Sequence, residues 1–223
     1  MTTEYRQFRF QRPPGSTELV LIRHGESAPA RFDRPYPYRD GHGDPELAPQ
    51  GRAQAEKLAD RFAGQHFDAI YVTTLRRTAE TAQPLADRLG IVPKVEPGLR
   101  EVHLGEWEGG LLRRHVAEGH PLVTEMNVKQ RWDVIPGAES TEQLAERVGA
   151  GIRRIAGAHP DQRVAVVAHG GVIGQVLAMA TGSMPFAFIG ADNASVSVLV
   201  VAGEQWILRG YNDVSHLGDV SHL

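Results

Sequence analysis

The sequence predicts an α/β fold, a three-layer αβα sandwich with a largely parallel central sheet and a small helical cap. Two observations carry this. Short apolar runs without polar alternation, beginning with LVLI at 19–22, have the pattern of strands covered on both faces. Between them stand segments with apolar residues at helical spacing, and such alternation implies right-handed crossovers and parallel strands. With 223 residues the chain has the length for a single domain over 1–223, with a cap insertion at about 103–140.

The elements follow in order. After the first strand, RFDRPYPYRDGHGDPE (31–46) is too rich in Pro, Gly and Asp to be regular and reads as a loop. The stretch at 47–64 places Ala53, Leu58 and Phe62 at helical spacing. FDAIYV (67–72) is a short buried-type strand, and 75–90 is helical with Pro84 as an expected kink. LREVHLGEWEGG (99–110) opens a loop that leads into helical sequence at 111–131. A long amphipathic helix follows ESTEQ, with Ser140 or Thr141 as N-cap. RVAVVAHGGVIGQVLAMATG (163–182) reads as strand, tight glycine turn and helix, and 195–212 as a closing hairpin. The tail repeats DVSHL, so residues 218–223 are expected to be a mobile extension.

Two strands end in the same chemistry. VLIRHGE and VVAHGGV each run apolar residues into a histidine followed by glycine, placing His24 and His169 at carboxyl strand ends. In open α/β sheets that is where ligands bind. A third strand ends just before Arg76 and Arg77, so a parallel sheet brings imidazoles and guanidiniums to one crevice. Arginine offers a planar fork of donors suited to phosphate oxygens. The helix opening at Gly170 and Gly171 points free N–H groups toward an anion. A lone strand-end histidine is ordinarily a hydrogen-bonded structural group; the joint occurrence on successive strand ends favours a phosphate pocket.

Composition narrows the classes further. A net charge of −3 argues against a general nucleic-acid or membrane-surface binder. With no cysteine among the residues, disulfides, thiolate metal sites and cysteine nucleophiles are excluded. The amino-terminal stretch lacks the apolar core of a secretory signal, and no apolar run reaches membrane-spanning length, so a cytoplasmic location is expected. The expected partner is a small phosphorylated substrate, with neither nucleic acid nor membrane; no cofactor and no metal are expected, and a homodimer stays open.

The chain resembles the histidine phosphatase superfamily, the phosphoglycerate mutase-like proteins. The matching stretches are LIRHGES (21–27), DPELAPQGRAQA (44–55), TTLRRTAETA (73–82), LREVHLGEWEGG (99–110), PGAES (136–140) and VVAHGGVI (166–173). The resemblance implies a nucleophilic histidine at His24, a phosphate pocket of Arg23, Arg77 and His169, and a proton donor at Glu101. The family's arginine stands four residues before the Thr of Thr-Ala, which selects Arg77 and leaves Arg76 at the rim. After Glu101 this chain reads VHLGEWEG, which resembles the phosphatase branch and not the Arg-His-Tyr-Gly stretch typical of the mutases. Ala30 stands where many members carry Asn, so no substrate contact is transferred from that loop.

The chemistry such a site needs is specific. Phosphate esters are attacked in line, and catalysis is mainly positioning and charge stabilisation. His24 serves as nucleophile only when neutral, and Arg23 and Arg77 push it that way. A backbone carbonyl is expected to hold its second ring nitrogen. His169 is useful protonated, as a donor to a phosphoryl oxygen. Glu101 must give a proton to the leaving alcohol and then take one from the water that hydrolyses phosphohistidine. The alternatives are mutase-type phosphoryl transfer, a metal hydrolase using His24, His42 and His169, and a silent phospho-ligand module. The metal reading lacks H-E-x-x-H and Asp-x-Asp, and the silent module should have lost His24, Arg77 or Glu101. Segment 31–42 is expected at the crevice rim, Trp107 and Trp132 in cap packing, and His216 near the pocket mouth.

Overall fold

The computed structural model describes residues 4–31, 33–34 and 36–218. At its centre, β1 (Thr17–Arg23) lies between β6 (Arg163–Ala168), which it pairs in parallel, and β7 (Val196–Ala202), which it pairs antiparallel. β4 (Ala69–Val72) and the short β5 (Lys94–Val95) extend the parallel side, and β8 (Gln205–Asp213) closes the other edge as a hairpin with β7. The sheet order is therefore β5-β4-β6-β1-β7-β8, largely parallel with an antiparallel edge.

The unbroken apolar run of β1 has a direct cause, because both of its faces are covered. Leu19 and Leu21 pack into a core with α5 (Thr141–Ala158) and α6 (Gly170–Thr181). Val20 and Ile22 point the other way, into a core with α1 (Pro49–Arg61) and α2 (Arg76–Leu89). All four are at most 1% exposed, and each such side chain contributes about 1.5–3 kcal/mol of burial. Truncating one to Ala would cost about 2–5 kcal/mol.

Several local expectations change. The 31–46 segment is not wholly irregular: β2 (Tyr38–Arg39) and β3 (His42–Gly43) form a minimal hairpin. Its two-residue turn, Asp40-Gly41, has φ values of 50° and 80°, the positive pair that Asp-Gly favours. On α1 the buried stripe runs through Gly51, Ala55, Leu58 and Ala59, leaving Ala53 exposed. α2 continues unbroken through Pro84. The helical stretch at 111–131 divides into α3 (Leu111–Ala117) and α4 (Pro121–Lys129), separated at Gly119 with φ 68°. These helices and the preceding loop surround a satellite core of Trp107, Met126 and Ile135, with Trp132 packed at its edge against Phe186.

α5 starts at a capping box. Ser140 Oγ accepts from the Gln143 N–H at 3.1 Å, and the Gln143 side chain accepts from the Ser140 N–H at 3.0 Å. The first DVSHL copy docks on α1, where Arg61 meets Asp213 and donates toward His216 Nδ1 at 3.0 Å. The expected tail at 218–223 falls, beyond Gly218, outside the described residues. Among the described residues no helix is long and apolar enough to cross a membrane.

Candidate active site

The register of β1 against β6 builds the centre of the site. Arg23 is the register partner of Ala168, so the next residue of each strand, His24 and His169, emerges at the same level. Their rings stand edge to face with centroids 5.2 Å apart, and both are buried. α2 starts from the neighbouring strand end and delivers Arg77, while the loop after β5 delivers Glu101. Arg23, His24, Arg77 and Glu101 line one cleft of about 260 Å³, which the Trp107 side of the cap segment walls. His169 lies beneath it, fully buried.

The hydrogen bonds of His24 fix its tautomer. Nδ1 is 2.7 Å from the Gly25 carbonyl, which can only accept, so Nδ1 carries the proton. Nε2 is left with its lone pair and accepts from Arg77 Nε at 3.2 Å. Burial first, and then the charges of Arg77 and Arg23, hold this imidazole well below its ordinary pKa. The His24 backbone is clamped as well. Asn193 Nδ2 donates to the His24 carbonyl at 3.0 Å, and the Gly25 N–H donates to Thr81 Oγ1, also at 3.0 Å.

His169 is useful protonated only once a phosphoryl oxygen is bound, and the free site holds it differently. Burial, followed by Arg77 and His24, pushes it well below the ordinary histidine range, so it is neutral in the free site. Its Nε2 is 2.9 Å from Thr73 Oγ1, and its buried Nδ1 has no partner among the described residues. Gly170 and Gly171 open α6 with first-turn N–H groups that have no partner one turn back.

Arg77 is held by the Gly43 carbonyl at 3.2 Å and lies 4.0 Å from Asp44. Arg76 turns away to Glu46 and Glu80 and does not line the cleft. Arg23 donates to the Ala191 carbonyl through Nη1, while its buried Nε lacks a partner among the described residues. Glu101 presses close to α6: a Cβ on Gly171 would lie 2.8 Å from its Oε1. Glu108, further along the same loop, instead accepts from the backbone N–H groups of Gly43 and Leu104. His42 binds the carbonyls of Asp40 and Glu101, and His216 sits on α1 rather than among the cleft residues. Among the described residues no group of three or more His, Asp or Glu is arranged to hold a metal ion.

Several contributors were not visible beforehand. Thr73 and Thr81 stand in the matching stretch TTLRRTAETA, but their hydrogen bonds to His169 and Gly25 are tertiary and carry no local signal, and no pattern marks Asn193 at all. Arg113, from α3, lines the cleft and donates to Ser27 Oγ at 2.6 Å, to the Ala28 carbonyl at 2.9 Å and to Tyr36 Oη at 3.1 Å. It thereby joins the helical segment to the loop after β1. Nothing in LLRRH announces that contact.

Comparison with known proteins agrees over nearly the whole chain. The model of the histidine phosphatase superfamily (branch 1) matches residues 19–214. Phosphoglycerate mutase-like protein 4 of Arabidopsis thaliana is 34% identical over 211 residues, covering 92% of this chain and 89% of the relative. A metal-independent phosphoserine phosphatase from the same plant is 33% identical, covering 93% and 86%. Among solved structures, mycobacterial glucosyl-3-phosphoglycerate phosphatase superposes with a TM-score of 0.70 at 27% identity, covering 88% of this chain and 99% of that one. The strand ends that carry His24 and His169 fall inside the matched span, and the chain belongs to branch 1 of the histidine phosphatase superfamily.

Proposed function

We propose that the chain is a phosphomonoester hydrolase that works through a phosphohistidine on His24, with Glu101 moving the proton. The observation that carries this is the state of His24. It is neutral, its Nδ1 proton is tied to Gly25, and its Nε2 lone pair stands beside two guanidiniums in a cleft that also holds Glu101. In the first step Nε2 attacks phosphorus in line while the P–O ester bond breaks, and Glu101 gives its proton to the departing alkoxide. Arg77 Nε exchanges its bond to Nε2 for a phosphoryl oxygen. The incoming anion supplies the charge that lets His169 take up a proton and donate to it. In the second step Glu101 takes a proton from water, the water oxygen bonds to phosphorus, and the P–N bond breaks to restore His24.

The substrate is a small ester. A cleft of about 260 Å³ is below the usual size of drug-like ligand sites, so it suits a compact metabolite. Arg113 beside the phosphate groups suits a second anion such as a carboxylate, and phosphoserine, from which one relative takes its name, is such a molecule. Residues 103–140 act as the cap of a single domain. Replacing His24 with Ala should lower turnover by several orders of magnitude, as expected for groups that act as a unit. Rapid quenching without acid should trap labelled phosphate on wild-type His24. Substantial turnover by His24→Ala would end the phosphohistidine mechanism, and efficient isomerisation of phosphoglycerate in place of phosphate release would select the mutase alternative.

A further inference from the structure

The carboxyl group of Glu101 is poorly anchored for a group that must meet a leaving oxygen. Among the described residues its hydrogen bond is to the N–H of its own neighbour, Val102, at 3.0 Å. Its position is therefore inherited from the backbone. His42 Nε2 meets the Glu101 carbonyl at 3.1 Å from the cleft side, and the backbone is gripped more widely from behind by Arg147 of α5. All five of its N–H groups are used: Nη1 donates to the carbonyls of Gly98 at 2.9 Å and Arg100 at 2.7 Å, and Nη2 to that of Glu101 at 3.0 Å. The remaining two go to Glu139, from Nε at 2.6 Å and Nη2 at 2.8 Å. Glu139 also accepts from the His103 N–H at 3.3 Å, and its own N–H donates to the His103 carbonyl at 2.9 Å. The pair thus holds the chain on both sides of Glu101. Neither residue lines the catalytic cleft; both face a separate concavity behind it.

We propose that Arg147, oriented by Glu139, is a positioning residue that sets the reach of Glu101 for proton transfer. The inference rests on the general-acid reading of Glu101 and extends it. A fork that binds three carbonyls and a carboxylate at once is a shape only guanidinium supplies. Lysine keeps the charge but can meet only part of that set. The Glu101 loop would then relax, and displacement of a reacting group by about 1 Å can cost about a hundredfold in rate. Because proton donation matters only for poor leaving groups, the loss must depend on the leaving group. A general loss of structure would not.

The test is kcat/KM for phosphoserine, whose alkoxide needs a proton, and for 2,4-dinitrophenyl phosphate, whose phenolate does not. Arg147→Lys should lose about 10–100-fold on the first substrate and less than about threefold on the second. Glu139→Gln, which leaves the three carbonyl bonds in place, should show the same bias in smaller measure and secures the test should Arg147→Lys melt below the assay temperature. Arg154→Lys is the control: it lies on the same helix and pairs with Glu96 of the same loop, but touches none of the carbonyls around Glu101. It should show no bias, and vanadate affinity should be unchanged in all three. In a Glu101→Gln background Arg147→Lys should add nothing on phosphoserine. Equal losses on both substrates, or none, overturn the positioning role while leaving the acid in place. Absence of bias in Glu101→Gln itself is a separate result that removes the acid, and the positioning role with it.

Discussion

Lowering the pH should weaken the fold in a window that belongs to the buried histidines. His24 and His169 are both held well below their ordinary pKa, chiefly by burial, whereas in the unfolded chain each titrates near about 6.5. As pH falls through that value the unfolded state binds protons that the folded state refuses. Their contribution is therefore fully present above about pH 6.5 and declines below it. Each proton carries about 1.4 kcal/mol per pH unit, so the limiting slope for the pair is about 2.7 kcal/mol per unit. Over a single unit that is a sizeable part of the roughly 5–15 kcal/mol typical of a domain. The carboxylates whose pKa is lowered, Asp68, Asp133, Asp213 and Glu142, lose their contribution only as pH falls through the ordinary carboxylate range, near about 4. They leave the interval from pH 5 to 6.5 to histidine, with the half-buried His216 adding a minor part in the same direction. Urea unfolding at half-unit steps across this interval measures the slope. His24→Gln and His169→Gln should each reduce it by about 1.4 kcal/mol per unit, whatever their effect on absolute stability. Saturating inorganic phosphate should flatten it, because the bound anion lets His169 protonate. A flat wild-type profile, or one unchanged in both variants, would refute the account of two neutral imidazoles buried beside two arginines.

Other outcomes follow from the same geometry. Gly171→Ala would place a Cβ 2.7 Å from Val102 Cγ2 and 2.8 Å from Glu101 Oε1, forcing the acid aside by about half an ångström; turnover of alkyl phosphates should fall about tenfold. Its melting temperature should change little, since alanine gains about 1 kcal/mol of helix propensity against the strain. Exhaustive chelation should leave turnover intact and vanadate should inhibit competitively; activity lost to chelation and restored by one divalent ion would instead place a metal in the reaction.

The parts legible in the sequence were those whose pattern is local. A strand covered on both faces has no polar alternation, so residues 19–22 and 164–168 declared themselves, and with them the strand ends that carry His24 and His169. The hairpin at Asp40-Gly41 was not read from the sequence: its Asp-Gly turn stands among prolines that made the whole segment read as a loop. Elsewhere the signal was physically absent. Arg147 reads as one more arginine on an amphipathic helix, because its meaning lies in three carbonyls some fifty residues upstream. His169 reads from the sequence as a donor to a phosphoryl oxygen, but the depth of its burial, which pushes its imidazole below the ordinary range, leaves no mark in VVAHGGV.

The place of β1 in the sheet has a consequence for how the protein comes into being. Although it is made first of the strands, both of its neighbours, β6 and β7, are made long after it, and its pairing with β6 brings His24 beside His169. A ribosome-bound chain stopped before α5 ends would hold Arg23, His24, Arg77 and Glu101 without the surface that aligns them. Activity should therefore switch on late and all at once during synthesis. For the same reason a cut between α5 and β6 divides the site between two fragments, neither active alone, whose reassociation could be followed by phosphate release.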